Sequence, residues 1–373
     1  MNVSFYDFAS LHNPSLLQEI AETLKVVIQE NAFVEGSYNL KLETAFCEML
    51  KSSYCRLVGN CTDALEIALK VHDIGPGDYV AVPGISFHAS AECIVNVGAT
   101  PVLVDVDPKT GLMDPEQLTA VAKEYPLKAV IPVHIYGLPA PMAAINEIAK
   151  KFQFAVIEDA AQAIGTQLPS GPVGSGDNLV CFSFYPTKNL GAFGDAGAIL
   201  TNNEEWAKKV SIIRNHGRSS QGLLHFGRNS RCDHIQAAVL LMKLKDFPAQ
   251  NEQRKVAAHK YTQNFKSLMS EGKVEVPGED FIQTSSWHLY PILVPNKDIK
   301  LKLHQYLKDK QVQTMLFYEQ ALGDLLPMQS YPGKREESRR FAERVLCLPI
   351  HPFLKDEQIQ YVTEQIRIFF TQL

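Results

Sequence analysis

Short, almost continuously apolar runs recur along the first part of the chain: YVAVP (79–83), PVLVDV (101–106), KAVIPV (128–133), FAVIED (154–159), LVCFSFY (179–185) and GAILT (197–201). Between them lie amphipathic segments such as DALEIALKVH, PEQLTAVAKEY and MAAINEIAKKF. Runs this apolar suit strands buried on both faces, and their alternation with helical segments predicts a mostly parallel sheet covered on each side. In such sheets ligands bind beyond the carboxyl ends of the strands. Asp159 and Lys188 both lie just past predicted strand ends, so the pattern predicts that they meet in one crevice.

The pattern changes near residues 245–255, where KDFPAQNEQRKVAAHKY is polar and opens a long helical stretch. Fewer units follow. They are WHLYPILV (287–294), the helix-like LKLHQYLKDK, VQTMLFY (312–318), a loop with Pro327 and Pro332, then VLCLPIHPF and the amphipathic DEQIQYVTEQIRIFF. The change predicts a large α/β domain over 1–248, N-terminal helix included, and a smaller C-terminal α/β domain over 249–373. No internal repeat or low-complexity tract interrupts either.

Composition narrows the function classes. Of 373 residues 46% are hydrophobic and 21% charged, an ordinary globular balance. A net charge of −5, with no block of lysine or arginine, argues against a nucleic-acid partner. The N-terminal MNVSFYDFASLHNPSLLQEI carries Asp7 and Glu19 and lacks a basic-then-apolar order, so it does not read as a signal peptide. No apolar run is long enough to span a bilayer. Seven scattered cysteines without a CxxC pair read as reduced, cytoplasmic thiols, with neither a disulfide framework nor a metal site.

Three stretches carry candidate chemistry, and each has a plain alternative. In VGNCTDALEIALK (58–70) a strand end leads through Gly59 and Asn60 into a helix starting near Thr62 or Asp63. Asp63 as N-cap would put Glu66 at N3, the spacing of a capping box. Free N–H groups at such a start suit a phosphate, yet on its own the stretch reads as an ordinary capped helix. In VIEDAAQAIG (156–165) Asp159 could pair with a protonated ring nitrogen, since a nearby carboxylate favours the cation. It could equally cap the segment after it. In FSFYPTKNLGAFGDAG (182–197) Lys188 sits between aromatic and glycine-rich runs, which alone reads as a surface turn. Its amine becomes a nucleophile near neutral pH only if desolvation or a nearby positive charge lowers a pKa of about 10.4. Together the three supply an amine for an aldehyde, a carboxylate for a pyridine nitrogen and a donor cradle for a phosphate. Those are the requirements of pyridoxal 5'-phosphate chemistry.

The order and wording of these stretches resemble the DegT/DnrJ/EryC1/StrS family of nucleotide-sugar aminotransferases over nearly the whole chain. The resemblance is carried by GNCTDALEIAL, GPGDYVAVPGISFHASAECI, GATPVLVDVDPKTGLMDP, IPVHIYGLP, VIEDAAQAIG, FSFYPTKNLGAFGDAG, IRNHGR, GRNSRCDHIQAAVLLMKL and LCLPIHPFL. It implies a type I PLP-dependent, aspartate aminotransferase-like α/β fold with a seven-stranded, mostly parallel sheet. Lys188 then inherits the covalent link to the cofactor, Asp159 the pyridine nitrogen, Gln162 the ring hydroxyl and Phe87 the stacking face. Phosphate contacts fall to Thr62, Asp63, Ser183 and, from a neighbouring subunit, Asn229, which implies a homodimer.

Two positions depart from the family's pattern: Cys61 and Ala196 stand where glycine is usual. A side chain is unfavourable there if the backbone needs positive φ or close approach. The resemblance further implies L-glutamate as donor, pyridoxamine phosphate as the alternate cofactor form, and a nucleotide-linked keto sugar as acceptor. YPTKNLGAFGD is closer to members acting on 3-keto than on 4-keto sugars, with a dTDP-linked 6-deoxy sugar expected first and a UDP-sugar second. The product would be an amino sugar for a surface glycan, such as a lipopolysaccharide O-antigen, or for a glycosylated metabolite. A sugar dehydratase and a non-catalytic cofactor-binding regulator share the fold. Retention of Lys188 argues against the first, since dehydratases of the family carry histidine there, and Cys61 and Ala196 are the support for the second.

Overall fold

A computed structural model describes residues 1–373. Seven strands form the main sheet: β1 (Tyr54–Val58), β2 (Tyr79–Pro83), β3 (Thr100–Val104), β4 (Leu127–Val130), β5 (Ala155–Asp159), β6 (Leu179–Ser183) and β7 (Gly197–Thr201). Their spatial order is β1-β7-β6-β5-β4-β2-β3. Neighbours from β3 to β6 run parallel, whereas β7 is antiparallel to both β6 and β1. All six apolar runs became sheet strands. The seventh, β1, is an edge strand in which partly exposed Tyr54 and Arg56 alternate with buried Cys55 and Leu57. That alternation hides it from a search for unbroken apolar runs.

Helices cover both faces, and their local chemistry explains their limits. Asp114 caps Pro115–Glu124, its Oδ1 accepting from Glu116 N at 2.7 Å, with proline at the first turn. Met142–Phe152 buries Met142, Ile145 and Ala149 along one stripe and ends at Gln153 in the left-handed region. No helix is long and apolar enough to cross a membrane.

The later part centres on the long helix Phe247–Ser270 and an antiparallel pair, β8 (Tyr290–Leu293) and β9 (Val345–Leu348). Helices Lys297–Asp309, Glu336–Arg344 and Asp356–Thr371 accompany the pair. VQTMLFY makes no strand; only Val312 and Met315 form single bridges. The N-terminal segment joins this later part. Val3 bridges Val312, Phe5 N donates to Gln313 Oε1 at 2.9 Å, and both side chains are buried. One apolar cluster of 52 buried residues runs from the sheet into β8 and β9, so the site faces a wall built by distant sequence.

Candidate active site

The period of two along a strand sends neighbouring side chains to opposite faces, and β5 ends with two acids in succession. Glu158 takes one face. Its oxygens accept from His134 Nε2 at 3.0 Å and Asn178 Nδ2 at 2.7 Å. His134 in turn accepts from Ala140 N at Nδ1, and its backbone N–H donates to the Asp159 carbonyl, both at 3.0 Å. The loop after β4 is thereby fastened to the end of β5.

Asp159 takes the other face and lines a cavity of about 930 Å³. It is buried, with Oδ2 accepting from Ser90 Oγ at 2.6 Å and Oδ1 from Ala161 N at 3.1 Å. Burial raises its pKa above the usual carboxylate value, opposed by these two hydrogen bonds and by the Lys188 charge.

Lys188 sits in the turn after β6, its N–H donating to the Tyr185 carbonyl at 2.8 Å. Loss of solvent lowers the pKa of its amine, and Cys61 and Asp159 oppose the shift. Desolvation is thus the cause at work, and no neighbouring cation assists it. The amine has no hydrogen-bond partner within the chain and no ion pair with Asp159, although both line the cavity.

The glycines around this turn have separate reasons. A Cβ on Gly191 would meet the Pro186 carbonyl oxygen at 2.4 Å, and one on Gly197 would meet the Asn60 carbonyl carbon at 2.7 Å. Close backbone approach therefore explains both. Cys61 and Ala196 are different: neither has positive φ, and both side chains are buried. The departures from glycine bring no backbone strain here.

The helix on the cavity floor is Cys61–Val71, and its cap is Asn60 rather than Asp63, with Asn60 Oδ1 accepting from Asp63 N at 2.8 Å. The capping box expected from Asp63 and Glu66 is not formed. Both acids instead hold Arg228, whose Nη2 lies 2.7 Å from Asp63 Oδ1 and whose Nη1 contacts Glu66. Neither the Cys61 nor the Thr62 N–H has an acceptor in the chain. Two free donors at a helix start are an anion cradle, and Arg228 offsets the acids beside them.

The remaining expected residues divide. Ser183 lines the cavity, its Oγ accepting from Tyr185 N at 3.4 Å. Phe87 lines it with a ring 48% exposed, free to cover a planar ligand. Gln162 lines it too, with Oε1 accepting from Tyr136 N at 2.7 Å and Nε2 donating to Tyr318 Oη at 2.9 Å. Asn229 does not line it; it is exposed and bridges Asn215. Tyr6, Tyr185, His288, Tyr318 and Glu319 also form the walls and were not singled out from sequence.

A larger cavity of about 1870 Å³ opens on the Glu158 face, among Asp114, Pro139, Met142, Asn178 and Phe281. It holds none of the expected site residues. The smaller cavity joins an amine, a carboxylate, an aromatic face and two free amides. Those are the groups a pyridine aldehyde phosphate requires, so the residues present fit pyridoxal phosphate.

The chain matches the family model described as the DegT/DnrJ/EryC1/StrS aminotransferase family over residues 14–367. It is 39% identical over 375 residues to the pleiotropic regulatory protein of Geobacillus stearothermophilus, covering 99% of each chain. It is 36% identical over 361 residues to UDP-N-acetyl-3-dehydro-alpha-D-glucosamine 3-aminotransferase of Acidithiobacillus ferrooxidans, covering 95% of each. Among solved structures, NtdA of Bacillus subtilis with bound cofactor PMP superimposes with a TM-score of 0.92 at 31% identity. That match covers 100% of this chain and 86% of the other. The α/β fold expected from the sequence is therefore also the fold of this solved, PMP-bound protein.

Proposed function

The chain belongs to the DegT/DnrJ/EryC1/StrS aminotransferase family, and from that premise we propose that it transfers an amino group from L-glutamate to C3 of a nucleoside-diphosphate keto sugar. One observation carries the reading. One cavity is lined by Lys188, whose amine has a lowered pKa, by the Asp159 carboxylate, and by Cys61 and Thr62 with their free helix amides. Pyridoxal phosphate bound there supplies an electron sink for the carbanion formed when the donor loses its α-proton.

The chain's own residues do the rest. Thr62 and Ser183, with the Cys61 N–H, hold the phosphate, while Asp63 anchors Arg228 at its edge. Phe87 covers one ring face, and Gln162, oriented by Tyr136 and Tyr318, meets the ring hydroxyl. Asp159, kept in place by Ser90 and Ala161, would accept from the ring nitrogen's N–H as a carboxylate, so that the nitrogen keeps its proton. The Lys188 amine takes the proton from the donor's α-carbon and later returns one to the sugar carbon that is aminated.

The walls argue for a second subunit. The acids Asp63, Asp159, Asp195 and Glu319 outnumber Lys188 and Arg228. A cofactor phosphate and a substrate diphosphate need more positive charge or more donors than one chain supplies. A homodimer in which Asn229 reaches the neighbouring cavity fits both this deficit and the exposed position of Asn229.

Amination at C3 is supported by YPTKNLGAFGD and by the activity named for the Acidithiobacillus relative. The test is a two-stage assay. Glutamate should bleach the absorbance of the bound cofactor and release 2-oxoglutarate. The reduced-amine form should then aminate one member of a panel of dTDP- and UDP-linked 3-keto and 4-keto sugars, read by mass spectrometry. An unchanged spectrum with glutamate favours a regulator, and a deoxygenated sugar favours a dehydratase.

A further inference from the structure

We infer that His288 is a positioning residue for the reaction, its Nε2 lone pair accepting a hydrogen bond from the Lys188 amine and holding that amine toward the donor's α-carbon. The inference rests on Lys188 being the reacting amine.

His288 follows Trp287, which is fully buried and has φ of 47°. The left-handed turn places Trp287 in the core and lets its neighbour line the cavity. The imidazole orientation is then fixed from the lysine turn itself. Asn189, the residue after Lys188, donates Nδ2 to the Ser286 carbonyl at 2.8 Å, which orients its amide. The Asn189 Oδ1 consequently faces His288 Nδ1 at 3.2 Å. An amide oxygen there can only accept, so Nδ1 carries the hydrogen and Nε2 the lone pair.

Nε2 has no partner in the chain. It is also not sealed in: the imidazole nitrogens that are buried without a partner are His72 Nε2 and His351 Nδ1. His288 Nε2 therefore opens on the cavity it helps to line. Burial, reinforced by the Lys188 and Arg254 charges, holds the imidazole well below the usual histidine pKa. A neutral acceptor without a partner thus stands in the same cavity as a lysine amine without one. A neutral acceptor suits a lysine that must alternate between charged and free forms, because it orients the amine without fixing its proton as a carboxylate would.

The test uses the cofactor-loaded enzyme and three substitutions. His288→Leu should lower kcat with the donor by about 10- to 100-fold, while KM moves by less than about twofold. His288→Gln, whose amide oxygen reaches near Nε2, should recover most of the loss. Asn189→Asp places a charge opposite Nδ1, favours the imidazolium and should move the acid limb of the rate profile up by about one pH unit. Nitrogen NMR of the imidazole in cofactor-free protein should show the Nδ1–H form. An Nε2–H form, an unchanged kcat in His288→Leu, or equal losses for Leu and Gln would overturn the inference. If Asn189→Asp fails to fold, the Leu and Gln pair and the NMR signal still decide. Should the wild-type protein not transaminate at all, the parent reading fails while the NMR signal still tests the His288 geometry.

Discussion

Replacing Ser90 by alanine removes one hydrogen bond and tests how Asp159 is kept ionised. Ser90 is fully buried, and its hydroxyl donates to Asp159 Oδ2 at 2.6 Å. Buried hydrogen bonds to a charged acceptor contribute about 1.5–3 kcal/mol, and each 1.4 kcal/mol is about tenfold. Burial already raises the Asp159 pKa, and this bond is the first of the groups opposing the rise. Its loss shifts the carboxyl further up by about one to two pH units. The direction follows directly: a weaker stabiliser of the anion means a higher pKa, so the active form appears only at higher pH. The assay is kcat/KM for glutamate against pH, with cofactor affinity measured by absorbance on the same samples. Ser90→Ala should move the acid limb up, with the loss of rate largest on the acid side and recovery in alkaline buffer. Superimposable profiles, or a uniform loss without a shift in the limb, would show that Ser90 does not act through Asp159.

Four further substitutions probe parts of the same construction. Asn60→Ala removes the helix cap beneath the phosphate cradle and should destabilise the protein by about 0.5–2 kcal/mol in denaturant unfolding, whereas Asp63→Ala should leave the cap intact and release Arg228. Lys243 is buried with its amine on the Gly191 carbonyl and has a pKa lowered to about 8 by burial. The unfolded chain binds that proton up to the ordinary lysine value of about 10.4, so stability should rise with pH between about 8 and 10. Lys243→Met should accordingly be more stable near pH 7, by at most about 3 kcal/mol, with the advantage fading toward pH 10. A constant difference across that range would contradict the assignment. Gly197→Val should prevent cofactor binding or folding, because even a Cβ meets the Asn60 carbonyl carbon at 2.7 Å; a normal absorbance spectrum for this variant would contradict the close approach.

Much of the large sheet was legible because strands buried on both faces leave unbroken apolar runs, and six such runs became β2–β7. Edge strand β1 left only an alternating trace with Arg56 in its middle, and just its end before Gly59 was visible. The cap was misplaced by three residues because Asn60 and Asp63 are both good capping types, and only the fold shows that Asp63 is held by Arg228. Lys188, Asp159, Gln162, Phe87, Ser183, Thr62 and Asp63 come together on one cavity, as strand ends in a parallel sheet should. His288 and Tyr318 were missed for a different reason. Neither falls in a repeating polar pattern, so no period marks it. What gives them meaning is contact across distant sequence, His288 with Asn189 at 99 residues and Tyr318 with Gln162 at 156. The pairing of Val3 with Val312 is equally invisible, since nothing local in MNVSFY marks a partner.

The proposed function requires the amine of Lys188 to carry the cofactor. Borohydride reduction of the loaded enzyme, followed by digestion and mass spectrometry, tests it directly. One pyridoxyl-modified peptide is expected, with the label on Lys188, and no labelling when Lys188 is alanine. A label on Lys243 or on any other lysine, or a label that persists in the Lys188→Ala protein, would contradict it.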